Sequence, residues 1–281
     1  MLKPKSISDA YYAACMLEIE ALKPGNVHVF ADGHGMTVHD FFKSAEATAL
    51  VIAEPNLTVG ERILLAVEAT QRVVATNTNL GIILLCAPLI HAALMLEKIT
   101  PQALQESLAS TLAKLTVEDA QLTAKAILLA KPAGLGASKM HDVNAPISVT
   151  LLALMQAAAE YDRIAWQYAN NFADIFNFGA PHYQVAFTKY RNQAWATTAL
   201  FLGFLAREQD THIVRKFGAS VAKAVMQEAQ QIEANYWATN NPKLVQQQLL
   251  NLDTNLKQRQ LNPGTTADLT VASVLLNRLF N

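Results

Sequence analysis

Charge is scarce in this 281-residue chain: Asp, Glu, Lys and Arg make up 16% of it, against a typical share of about 25%. Acids and bases nearly balance, leaving a net charge of -1. No global field therefore draws the protein to nucleic acid or to a membrane surface, and neither partner is expected. Cysteine is nearly absent as well. Cys15 and Cys86 are the only two, each in an apolar stretch. They exclude a disulfide framework and read as buried thiols in a reducing compartment. The longest apolar run, Leu80 to Leu96, is interrupted by Pro88 and His91 and falls short of the roughly 20 residues that span a bilayer. Met1 to Ala10 lacks the apolar core and cleavage site of a signal peptide. A cytoplasmic location is expected.

Sustained two-residue alternation is also missing, which argues against a sheet. What is present is helical period, almost everywhere. Thr37 with Asp40, Thr58 with Glu61, and Thr116 with Asp119 each place a hydroxyl three residues ahead of a carboxylate, and Thr100-Pro101 is a cap with proline at the first helical position. The pattern predicts helices near 6–21, 38–54, 59–75, 80–98, 101–114, 117–130, 147–159, 161–177, 182–208, 212–238, 242–258 and 266–280. Hydrophobic residues make up 52% of the chain and no linker divides it. The expected fold is all-α, a single globular multi-helix bundle of about a dozen helices spanning 1–281. Apolar helices with few charges are compatible with a homodimer.

Polar residues concentrate between the helices, where a rigid scaffold can hold binding groups. Glu18 is followed by Lys23-Pro24-Gly25-Asn26-Val27-His28, in which Lys23 and His28 are cationic donors and the turn exposes backbone N–H groups suited to phosphate. Thr76-Asn77-Thr78-Asn79 opens the most apolar helix, with more capping groups than a cap requires. The loop Gly134 to Asn144 contains Asp142; it lacks the Walker spacing and follows no strand. Asp210-Thr211-His212 begins a helix carrying Arg215 and Lys216, and Asn262-Pro263-Gly264-Thr265-Thr266-Ala267-Asp268 feeds the last helix. No standard zinc spacing occurs.

The joint order of Lys23-Pro24-Gly25, Asn77-Thr78, Asp142, Asp210-Thr211, and Pro263-Gly264 with Ala267-Asp268 resembles the triphosphoribosyl-dephospho-CoA synthase family. The likeness runs from about Glu18 to Asp268. Lyase-associated members usually read Leu-Val-Asp after Lys-Pro-Gly, His-Lys at Asn79-Leu80, and Gly-Ser at Thr265-Thr266; the forms here look more like the branch in archaea and methylotrophic bacteria. The resemblance implies an all-helical enzyme that moves the 5-triphosphoribosyl unit of ATP to a ribose hydroxyl of 3'-dephospho-CoA and releases adenine. It implies Mg²⁺ with the ATP and no organic prosthetic group. It places Glu18, Asp142, Asp210 and Asp268 in an acidic catalytic centre, with Glu18, Asp142 and Asp210 as metal ligands. Lys23, Arg215 and Lys216 would hold the triphosphate, Gly25 and Asn26 would line the loop, Asn77 and Thr78 would orient ribose or phosphate, and His28 or His212 would serve the departing base. Two other readings are a transferase of the same fold acting on another cofactor precursor, such as a pterin, and a non-catalytic helical nucleotide-binding protein.

Overall fold

The computed structural model describes residues 4–132 and 147–280. Among them the chain forms fourteen α-helices and no strand. In order these are α1 (Pro4–Glu20), α2 (Val38–Ile52), α3 (Val59–Val73), α4 (Leu80–Leu94), α5 (Pro101–Ala113), α6 (Val117–Ala130) and α7 (Leu151–Ala158). There follow α8 (Arg163–Ala169), α9 (Ala180–Tyr190), α10 (Gln193–Arg207), α11 (Thr211–Phe217), α12 (Ala219–Ala238), α13 (Gln246–Gln258) and α14 (Gly264–Phe280).

The helix starts follow from capping chemistry. Thr37, Thr58 and Thr116 each accept a bond from the backbone N–H three residues on, and Asp40, Glu61 and Asp119 return it to the cap. Thr100 caps α5 ahead of Pro101. Three segments predicted as continuous helices are each broken in two. The stretch 161–177 divides where Asn171 and Phe172 turn left-handed, at φ 50° and 57°, ahead of a π-helical turn at Ile175–Gly179. Phe172 is fully buried against Tyr168, with ring centroids 5.3 Å apart, which offsets its strained backbone. The stretch 182–208 breaks at Arg191 (φ 52°), after which Asn192 caps α10. The stretch 212–238 breaks at Gly218 (φ 88°). In each case a local reversal lets two short helices follow the core surface where one long helix would leave it.

The core is built around α4 and α14. Every residue of α4 from Ile82 to Ile90 is buried, and α14 is buried from Val271 to Asn277. Helix α14 packs against α1, α4, α9 and α10; α3 lies between α2 and α6; α12 covers α10. Cys15 and Cys86 are free and buried, and their burial holds both thiols protonated. No described helix is long and apolar enough to cross a membrane.

Helices α3 and α6 approach closely at Gly60, whose N–H donates to Asp119 Oδ1 at 2.7 Å. A Cβ there would lie 2.9 Å from the Asp119 carbonyl oxygen, an atom of the α6 backbone that cannot swing aside. Gly60→Ala should therefore cost about 1–3 kcal/mol, read as a lower midpoint in urea, with specific activity retained because the site lies elsewhere.

Candidate active site

Segments far apart in sequence meet at one end of α4 and α14. Asp268, on the first turns of α14, lies with its carboxyl against Gly81, the second residue of α4, leaving no room for a Cβ there. Among the described residues Asp268 has no hydrogen bond or ion pair, and it is only partly buried, so solvent or a ligand reaches it. Desolvation raises its pKa well above the usual carboxylate range. Repulsion from Asp210, Glu18 and Asp162 adds to the effect, and Arg215 opposes it. The first turns of α8 and α11 adjoin the same place: Ile164 also abuts Gly81, and Arg163 N–H donates to Thr211 Oγ1 at 3.3 Å. Helix N-termini carry partial positive charge, so their convergence favours a polyanion.

Asp210 is bound on every side. Its Oδ1 accepts from the N–H groups of His212 (2.9 Å) and Ile213 (3.1 Å), and its Oδ2 accepts from Thr266 N–H and Oγ1, both at 2.8 Å. Burial raises its pKa, and these four bonds oppose the rise. The carboxylate caps α11 and ties it to α14, so its oxygens are engaged by protein. Asp210→Ala should lower stability by about 2–4 kcal/mol, measured by chemical denaturation.

The segment Lys23 to His28, expected as a phosphate cradle, is instead turned inward. Lys23 is fully buried, donates to Glu18 Oε1, and reaches Asn26 Oδ1 at 3.1 Å. Burial lowers the pKa of Lys23 and raises that of Glu18, while each partner opposes the shift of the other. Asn26 Nδ2 continues to Asn262 Oδ1 at 2.8 Å. Gly25, at φ 82°, gives its N–H to Asp253 Oδ1 at 2.9 Å, and an added Cβ would meet Leu256, Leu261 and Pro263 at 2.9 Å each. His28 is fully buried, with Nε2 3.3 Å from Asp253 Oδ1 and Nδ1 accepting from Phe30 N–H at 3.3 Å. Both Lys23 and His28 are thus turned to protein partners. The segment clamps the end of α1 onto α13 and the entry to α14, because a turn rich in donors satisfies itself when the surrounding helices exclude water.

At the start of α4, Asn77 Oδ1 caps Leu80 N–H at 3.1 Å. Thr78 and Asn79 are buried, and Thr78 Oγ1 and Asn79 Nδ2 have no partner. Asn79 lines a cleft with Glu18, Phe41 and Ser44. His212 stacks on Gly264, and its Nε2 is unpartnered. Burial, reinforced by Arg215 and Lys216, pushes its pKa down to about 3, so the ring is neutral at physiological pH. Arg215 is partly exposed and pairs with Asp162 at 3.4 Å; Lys216 is exposed. Asp142 lies outside the described residues.

The structure thus gathers Glu18, Asp210, Asp268, Asn77, Thr78, His212 and Arg215. It adds Asn79, Asp253 and Thr266, which sequence reasoning did not assign. Asn79 and Thr266 sat inside quoted motifs, but Asp253 lies in the polar helix α13 with Lys257 one turn on, a spacing common to surface ion pairs. No group of three or more His, Cys, Asp or Glu side chains suited to a metal occurs among the described residues.

Comparison with known proteins bears on the family and the fold. No curated protein matches the sequence. A structure described as a triphosphoribosyl-dephospho-CoA synthase from Archaeoglobus fulgidus superposes with a TM-score of 0.67 at 21% identity, covering 87% of this chain and 99% of the other. At that identity the likeness speaks for the fold. The family model of ATP:dephospho-CoA triphosphoribosyl transferase matches residues 4–281. The chain belongs to that family of transferases.

Proposed function

We propose that this chain carries out the family reaction at Asp268, where the first turns of α4 and α14 meet. The bond between ribose C1′ and adenine N9 of ATP breaks, and a bond from C1′ to a ribose oxygen of dephospho-CoA forms. The hydroxyl proton passes to the Asp268 carboxylate, and adenine leaves with a proton taken from solvent or from the site. The triphosphate remains on the transferred sugar. Such glycosyl transfer passes through an oxocarbenium-like state that a nearby carboxylate stabilises.

The observation that carries this reading is that Asp268 alone among the assigned, described acids is unengaged and reachable. Glu18 is paired with Lys23, and Asp210 is a cap. Arg215 and Lys216, in the last turn of α11, would reach back to hold the triphosphate. His212, neutral at its low pKa, offers a ring N–H as a hydrogen-bond donor to the departing base. Magnesium commonly binds through substrate phosphates and keeps several waters. The triphosphate would hold the ion, which would offset phosphate charge, and the Asp268 carboxylate stays available for the proton.

Free adenine, assayed by chromatography with ATP and Mg²⁺, should appear only when dephospho-CoA is present. Adenine release without that dependence, or none from folded protein, would move the reaction to another acceptor or donor. The acid limb of kcat/KM should report the free enzyme's Asp268 and so lie well above the range of an ordinary aspartate. A limb near pH 4 would remove Asp268 from the base role.

A further inference from the structure

The cleft between α1, α2 and α4 holds a pair of complementary, unused polar groups. Asn79 is 5% exposed, and its Nδ2 has no partner. Its orientation is set from behind, because Thr70 Oγ1 donates to Asn79 Oδ1 at 3.0 Å, closer than the alternative Ala66 carbonyl at 3.2 Å. Glu18 is 2% exposed; Lys23 engages its Oε1, and Oε2 has no partner among the described residues. The two residues that carry this donor and this acceptor line the same cleft, with Ile19, Ile82 and Phe41 as apolar walls. Leaving such groups unpaired costs about 1–3 kcal/mol each. A ligand that supplies the opposite pattern would recover that cost.

We infer that this cleft receives the adenine of ATP, with Glu18 Oε2 accepting from the exocyclic N6 amine and Asn79 Nδ2 donating to the adjacent ring nitrogen. This inference rests on the reaction proposed above. A purine amidine edge presents a donor next to an acceptor, and amide and carboxylate side chains are the usual readers of such edges. Two residues beyond Asn79, Gly81 touches the Asp268 carboxyl. The cleft and the Asp268 carboxyl therefore lie at the same end of α4. The cleft has room for little more than a water in the free chain, so a base enters only by displacing Phe41, a partly buried wall on α2. Lys23 gains a role here as a positioning residue, since it occupies Oε1 of Glu18 and leaves Oε2 for the base.

A 6-oxopurine inverts both groups of the edge, placing O6 against Glu18 and N1–H against Asn79. Titration calorimetry with Mg²⁺ should find ATP bound at least about 10-fold tighter than ITP. Asn79→Asp keeps the side chain's size and its bond from Thr70 but replaces the donor with an acceptor. It should reduce the ATP-to-ITP ratio by about 10-fold or more, whatever its added charge does to both nucleotides alike. Asn79→Leu, which adds no charge, should also reduce the ratio and serves if the first variant does not fold. An unchanged ratio in a folded variant overturns the inference, as does wild-type protein that binds the two nucleotides equally or binds neither. Dephospho-CoA-dependent adenine release, measured alongside, separates the readings. Release with no ATP preference rejects the base site alone, whereas an Asn79-dependent preference without release supports the base site and rejects the acceptor.

Discussion

Asp268→Asn should lower turnover by about 100-fold or more and at the same time raise the melting temperature at neutral and alkaline pH. The two effects have one cause. The native carboxyl is largely desolvated, unpartnered and close to Asp210, Glu18 and Asp162, so ionising it in the folded protein is costly. Its folded pKa exceeds its unfolded value. The folded state therefore holds more protons, and stability falls as pH rises from the ordinary aspartate range through the folded pKa. Asparagine removes that loss along with the base. Wild type and variant should melt alike in acid and diverge as pH rises, the variant being the more stable. A variant that loses activity and stability together would place Asp268 among the structural groups and leave the site without its base.

Lys23→Met should destabilise the fold by about 3–5 kcal/mol, an unusually large effect for a lysine. The change strands Glu18 in a site where the pair is 0% and 2% exposed. The loss should depend on pH in a defined direction. With its only attractive partner gone, Glu18 is left to burial, which raises its pKa. Stability of the variant is then greatest in acid, where Glu18 is protonated, and falls as pH rises through the raised folded pKa. Adding Glu18→Leu should recover most of the stability, because replacing both members removes the uncompensated charge. Chemical denaturation of the wild type, the single variant and the double variant at two pH values tests this. A single variant as stable as wild type would mean that Lys23 reaches solvent and is available to phosphate after all.

Much of the scaffold was legible in the sequence because its signals are local. A threonine three residues ahead of an acid is a capping box wherever the chain goes next, and a strongly apolar run such as Leu80 to Leu94 must be largely buried. The three broken helices were not legible. Arg191 and Phe172 are ordinary helix residues, and their left-handed turns occur because the next segment packs back onto the core. The site was legible only as a set of polar loops. Motif order named Glu18, Lys23, His28, Asp210 and Asp268 together, yet these residues ended in different situations: a buried pair, an inward-facing ring, a helix cap and one open carboxyl.

The sequence by itself determined an all-helical chain, its capped starts, its buried thiols and the polar segments that its family shares. Only the tertiary structure decided which polar groups are satisfied by protein and which remain open to a ligand. Hydrogen-bond partners such as Thr266 for Asp210, Asp253 for Gly25 and Thr70 for Asn79 come from other elements, the first two more than fifty residues away. A side chain's chemistry depends on that pairing and on its desolvation, and neither is encoded at its own position.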